Sequence, residues 1–228
     1  MKDRKSLWFE PGYPRPAQPV MEWNWAYIAD HWVRVVAMFT LIITGFYIHT
    51  PFISGGEGNT IMATMRFLHF VAAYTFIIGL VIRVYMAFCS KFDADWRDFG
   101  IMRNLVNVED ILLWYIFLKR EHKKYRKYNP LQAYAYLGVA CLMVLAAITG
   151  FAIYHGNIFL VINSQSAFGW LNHLVGGESY MRLIHIGIMW CFIVFMVIHV
   201  YLSWMNSAVK KDNSFTSIFT GYKLHVDH

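Results

Sequence analysis

The stretch Tyr180–Trp204, YMRLIHIGIMWCFIVFMVIHVYLSW, decides the fold. It is apolar enough to sit in lipid, yet it carries His185 and His199, 14 residues apart, and Arg182 just before the first. Fourteen helical residues turn through about 1400°, close to four full turns, and rise roughly 21 Å. Both imidazoles therefore share one face of a helix, one near each end of a hydrocarbon layer roughly 30 Å thick. Ionisable side chains inside a membrane span are costly and mark function by default.

Three more windows of this kind lie upstream. Apolar runs of about 20 residues, the length that crosses a bilayer, occur at 28–48, 67–89 and 132–154, and the fourth spans 183–206. Over 228 residues the chain is 57% hydrophobic, 18% aromatic and 15% charged, too apolar for an ordinary soluble domain. The first window starts too late and runs too long for a cleavable signal peptide. The expected fold is all-α: one integral-membrane domain, a four-helix bundle over 1–228, with a lead-in at 1–25 and a tail at 207–228.

Charge supplies the orientation. Lys2, Arg4, Lys5 and Arg15 precede the first span; nine Lys and Arg residues from Lys91 to Lys127 separate the second from the third; Lys210, Lys211 and Lys223 follow the fourth. The other two connections hold no Lys or Arg before Arg66 and Arg182. The positive-inside rule then puts both termini and the 90–131 segment in the cytoplasm. The net charge of +6 is topological, with lipid and not nucleic acid as the implied contact. Cys89, Cys141 and Cys191 form no C-x-x-C or C-x-x-C-H pattern, so neither a covalently attached haem nor a cysteine-held cluster is indicated.

Between the spans, the Pro-rich lead-in EPGYPRPAQP (10–19) and the loop HTPFISGGEGNTI (49–61) are irregular. LVNVEDILLWYIFLKR (105–120) reads as an interfacial amphipathic helix. The connection at 155–180 is rich in apolar residues and is uncharged except for Glu178; such a loop suggests a docking surface, with lipid contact as the alternative. A faint repeat runs through the chain. ITGFYIHTPFI (43–53) resembles ITGFAIYHGNIF (148–159), and TMRFLHF (64–70) resembles YMRLIHI (180–186), so helices one and two correspond to helices three and four.

Pairing histidines by depth gives two sites. His69, near the outer end of helix two, is level with His185; His31, near the inner end of helix one, is level with His199. Two imidazoles per site are the axial ligands of a six-coordinate haem iron suited to electron transfer. Zinc fits less well, since three or four converging ligands are not in view. Arg66 and Arg182 each stand one turn before an outer histidine and offer a guanidinium to a haem propionate; snorkelling to the interface is the competing account. Arg34 and Arg83 could serve the inner site in the same way. Gly45, on the His31 face at the outer depth, and Gly150 on helix three would let a macrocycle approach, or equally let helices pack closely. His49, His122, His155, His173, His225 and His228 fall outside the spans and are not candidate ligands.

These residues carry a resemblance. HWVRVVAMFTLIITG (His31–Gly45) resembles the first-helix signature of the cytochrome b subunits of membrane-bound nickel–iron hydrogenases; RLIHIGIMWCFIVFMVIHVYLSW resembles their fourth helix, and SFTSIFTGYKLH the short segment after it. The resemblance covers most of 26–225. It implies a multi-pass protein of the bacterial inner membrane holding two haem b groups on His31, His69, His185 and His199. It also implies electron transfer from a periplasmic hydrogenase, whose small subunit carries iron–sulfur clusters and whose large subunit carries nickel and iron, to membrane quinone. Splitting of H2 is not expected in this chain, which has no nickel-binding cysteine pairs. Formate dehydrogenase gamma subunits share the four-helix, two-haem plan, so another oxidoreductase is the alternative partner. A haem-free anchor or transporter is the alternative of another class. Asp30, preceding His31, departs from the usual pattern. Near the inner site, Glu22, Tyr27, Asp30, Tyr201 and Ser203 are polar groups that could bind or protonate quinone, with interfacial solvation as the plainer account.

Overall fold

Four long helices follow the four apolar windows in the computed structural model, which describes residues 18–53, 60–89, 108–115, 118–119 and 130–225. They are α1 (Trp25–His49), α2 (Ile61–Cys89), α4 (Pro130–Ile153) and α7 (Glu178–Lys210), each long and apolar enough to cross a membrane. Between α2 and α4, α3 (Val108–Tyr115) packs on α4. It buries Ile111 completely, and it lies within the expected amphipathic segment. The Pro-rich lead-in up to residue 17, positions 54–59 of the first loop, most of 90–129 with His122, and His228 lie outside the described residues.

Every span is longer than its apolar window because local chemistry, not hydropathy, decides where a helix begins and ends. Asn24 starts α1: its side-chain oxygen accepts from Ala26 N–H at 3.2 Å and its carbonyl from Tyr27 N–H at 3.0 Å, an N-cap. Pro51 follows the end of α1 and disfavours its continuation. Pro130 occupies the first position of α4, where a missing N–H costs nothing. The chain reaches α7 through Gly176 and Gly177, at φ 92° and 123°, and Glu178 then sits in the first turn, where a negative charge suits the helix dipole.

The chain divides into two compact units. The larger, Asp30–Val194, is the helical bundle. Its core is small: Ala37, Phe76, Met143, Ile188 and Phe192, one or two from each long helix. Only 11–17% of each apolar window is buried, and large side chains such as Val36, Phe67, Val81 and Val194 point outward. That arrangement suits a lipid solvent, in which outward apolar faces need no cover.

The connection between α4 and α7 is folded. A hairpin of β2 (Asn157–Ile158) and β3 (Ile162–Asn163) leads into α5 (Ser164–Phe168) and α6 (Trp170–Leu174). This segment closes the end of α4, whose last carbonyls have no partner within the helix. Ser164 Oγ donates to Phe151 O at 2.6 Å, Gln165 Nε2 to Ala152 O at 3.0 Å and to Tyr154 O at 2.8 Å, and Asn172 Nδ2 to Ala152 O at 2.8 Å. At the hairpin tip Phe159 and Leu160 take φ of 48° and 63°, a conformation costing roughly 1–2 kcal/mol per residue. Leu160 and Val161 are 92% and 82% exposed there.

The smaller unit comprises Met1–Ala29 and Phe195–His228. Here β1 (Gln18–Met21) pairs antiparallel with β4 (Tyr222–His225), a strand pairing that a Pro-rich lead-in does not announce. Turn α8 (Ser217–Thr220) ends at Gly221, whose φ of 82° closes it. The Gly221 carbonyl accepts from Glu22 N–H at 2.8 Å and Trp23 N–H at 3.1 Å. Lys223 and Glu22 pair at 2.9 Å. The segments preceding α1 and following α7 are thereby bound together.

Candidate functional site

His69 on α2 and His185 on α7 meet inside the bundle, with ring centroids 6.5 Å apart and planes inclined by 64°. Each ring is seated by the neighbouring long helix in the same way. Thr44 Oγ1 on α1 lies 2.8 Å from His69 Nδ1, and Thr149 Oγ1 on α4 lies 2.8 Å from His185 Nδ1. The glycine after each threonine backs the same ring. A Cβ added to Gly45 would stand 3.6 Å from His69 Cε1, and one added to Gly150 would stand 3.3 Å from His185 Cε1. The internal repeat is thus a three-dimensional device: Thr-Gly on one helix of each hairpin holds the histidine of the next. Both glycines face imidazoles directly.

The threonines were not among the residues singled out in the sequence. Their signal was there, in the isoleucine-threonine-glycine triplets at 43–45 and 148–150 that anchor the repeat.

Arg182 and Arg34 are engaged by carboxylates. Arg182 Nε and Nη2 donate to Glu178 Oε1 at 3.1 and 2.5 Å, and His155 Nε2 lies 3.4 Å from Glu178 Oε2. With five donors, a guanidinium so paired keeps others to spare. Arg66, one turn before His69, is exposed. Arg34 donates to Asp30 Oδ2 from Nε at 3.0 Å and from Nη2 at 2.6 Å. Its carbon stem crosses Gly79 of α2, and a Cβ there would also lie 3.5 Å from Asp30 Oδ1. The acidic residue before His31 therefore has a structural employment. Arg83 is half-buried on α2.

His31 and His199 belong to different units. His31 makes an edge contact with Trp32, centroids 5.4 Å apart. His199 stacks on Phe195 at 5.3 Å and 21°. Among the polar residues considered for quinone, Glu22 and Asp30 are ion-paired, Tyr27 is buried and Tyr201 is exposed.

Two imidazoles flanking one metal atom, each nitrogen about 2 Å from it, have ring centres roughly 6 Å apart. The 6.5 Å between His69 and His185 fits that requirement. Among the described residues, no three His, Cys, Asp or Glu side chains converge, and two imidazoles are the number a macrocycle leaves room for on iron.

A polytopic membrane protein whose repeated hairpins bring two half-buried imidazoles together inside the bundle is, by fold and site, of the kind that carries a metal macrocycle. Comparison with known proteins makes that specific. The chain belongs to the prokaryotic cytochrome b561 family, which it matches over residues 22–221. It is 30% identical over 213 residues to the probable Ni/Fe-hydrogenase B-type cytochrome subunit of Cupriavidus necator, covering 86% of this chain and 84% of that one. The Rhizobium leguminosarum protein of the same description is 30% identical over 204 residues, covering 86% and 85%. The probable Ni/Fe-hydrogenase 1 B-type cytochrome subunit of Escherichia coli K12 is 26% identical over 203 residues, covering 86% of each. As a b-type cytochrome the chain is a transmembrane electron-transport protein with haem b as its cofactor.

Proposed function

We propose that this chain is the membrane subunit through which a periplasmic nickel–iron hydrogenase delivers electrons from H2 to quinone in a bacterial inner membrane. The observation that carries the reading is the pair of seated imidazoles, His69 and His185, 6.5 Å apart and each held by a Thr-Gly step. These two hold the outer of two haem b groups; His31 and His199, paired by depth in the sequence, hold the inner. Haem b, when bound, supplies one-electron exchange between ferric and ferrous iron without an open coordination position. The protein's own part is to orient the imidazoles, keep water away behind apolar helices, and present cationic side chains to the propionates, Arg66 and Arg182 outside, Arg34 and Arg83 inside.

The hydrogenase as partner, in preference to a formate dehydrogenase, is supported by the descriptions of the relatives. The exposed hairpin tip at Leu160 and Val161 is its docking surface. The positive-inside rule places that tip outside and both termini in the cytoplasm. H2 splitting remains with the partner. Quinone is reduced on the cytoplasmic side, so electron flow charges the membrane.

The test is the haem-to-protein ratio of purified variants. His69→Ala and His185→Ala are each expected to lose one haem of two, and His31→Ala and His199→Ala the other. Four variants with full occupancy and wild-type potentials would sink the assignment. Proteoliposomes supplied with H2 and quinone should build a potential negative on the side of the termini; brisk turnover with no uncoupler-sensitive potential would move quinone to the outer face.

A further inference from the structure

The two threonine hydroxyls beside the imidazoles are each already committed as donors. Thr44 Oγ1 donates to Thr40 O at 2.6 Å, with Leu41 O at 3.3 Å. Thr149 Oγ1 donates to Leu145 O at 2.7 Å, with Ala146 O at 3.2 Å. A hydroxyl has one proton and two lone pairs. With the proton directed at a helix carbonyl, the oxygen meets His69 Nδ1 or His185 Nδ1 as an acceptor, so the proton in each 2.8 Å contact belongs to the imidazole. A neutral imidazole protonated on Nδ1 has its lone pair on Nε2. Thr44 and Thr149 are 2% and 6% exposed, so water does not compete for either bond.

We infer that Thr44 and Thr149 are positioning residues that set the tautomer of His69 and His185: each hydroxyl accepts the Nδ1 proton, leaves Nε2 as the metal-binding nitrogen, and tunes the outer haem through the ligand. The inference rests on the ligand assignment proposed above. Its chemical consequence is signed. A hydrogen-bond acceptor on the far nitrogen raises the ligand's basicity, and a more basic axial ligand favours the ferric state, which lowers the reduction potential. The duplication makes the device symmetric, one hydroxyl for each axial ligand. A chance contact between a threonine and a histidine has no reason to recur at both hairpins with the same donor pattern and the same following glycine.

Val and Ser separate the hydroxyl from the methyl of threonine. The intact complex with both haems is purified as wild type, Thr44→Val, Thr149→Val, Thr44→Ser and Thr149→Ser, and each is examined by redox titration and by the low-spin resonances of the oxidised haems. Each valine variant is expected to raise the outer potential and shift the outer resonances, leaving the inner haem unmoved. Each serine variant is expected to restore the wild-type values. If a valine variant loses the outer haem altogether, recovery of that haem in the matching serine variant supports the same role. Valine variants with wild-type potentials and resonances, or serine variants as altered as the valine ones, overturn it. His69→Ala and His185→Ala serve as the reference: if neither removes a haem, the ligand assignment falls and this inference with it. If each removes one while the valine variants match wild type, this inference alone falls.

Discussion

Gly79→Ala is expected to destabilise the bundle through a residue on another helix. A Cβ at Gly79 would fall 2.5 Å from Arg34 Cγ and 2.8 Å from Arg34 Cδ. Those carbons lie close to the backbone of α1, so the whole guanidinium arm has to swing away. It would leave Asp30, whose side chain is 6% exposed and which Arg34 contacts at 2.6 and 3.0 Å. Depriving a buried carboxylate of its partner costs about 3 kcal/mol at the low end of observed values. Alanine's better helix propensity returns about 1 kcal/mol. The net loss of about 2 kcal/mol is roughly a 30-fold change in the folding equilibrium. The assay is detergent-micelle unfolding by SDS, followed by circular dichroism, for wild type, Gly79→Ala, Arg34→Ala and the double variant. With alanine at 34 there is no Cγ to displace, so Gly79→Ala should cost nothing there and regain about 1 kcal/mol. The cycle then shows a coupling of about 3 kcal/mol. Equal costs of Gly79→Ala in both backgrounds would show that Gly79 does not exist to make room for Arg34.

Further outcomes are expected from single contacts and single charges. Gly150→Ala should disturb the outer haem's spectrum and potential more than Gly45→Ala, because the new Cβ stands 3.3 Å from its histidine at 150 and 3.6 Å at 45; redox titration of the two variants decides. Gly221→Ala places a side chain at φ 82° with its Cβ 3.0 Å from Trp23 O, a strain of roughly 1–2 kcal/mol; amide exchange of the β1–β4 ribbon should speed up while that of the bundle does not change. Arg182→Gln and Glu178→Gln should shift the outer haem's potential in opposite directions, down and up, because removing a positive charge disfavours the reduced state and removing a negative one favours it. Arg66→Gln should act in the direction of Arg182→Gln, and potentials unmoved in all three would leave snorkelling as the account of these arginines.

Much of the architecture was legible because a bilayer reads sequence almost one residue at a time. The windows at 28–48, 67–89, 132–154 and 183–206 correspond to α1, α2, α4 and α7, since lipid selects length and hydropathy before any tertiary contact forms. The ends were less legible, because Asn24, Pro130 and Glu178 act through capping and dipole chemistry that a hydropathy window averages away. The folded connection over 155–177 and the β1–β4 ribbon were missed for a related reason: their bonds join residues distant in sequence, such as Ser164 to Phe151 and Glu22 to Gly221.

The sequence by itself determined the class and the four apolar spans, because a helix has one period and a membrane one thickness. Depth along the helix was enough to match His69 with His185, since both coordinates are linear in residue number. Which atoms would touch those rings was a different kind of question. That Thr44 and Thr149 approach Nδ1, that Gly45 and Gly150 back Cε1, and that Gly79 admits the stem of Arg34 toward Asp30 all depend on the rotation of one helix against another. Rotation is set by the packing of Ala37, Phe76, Met143, Ile188 and Phe192 in three dimensions, and an apolar span whose surroundings are equally apolar carries no sequence signal strong enough to specify it.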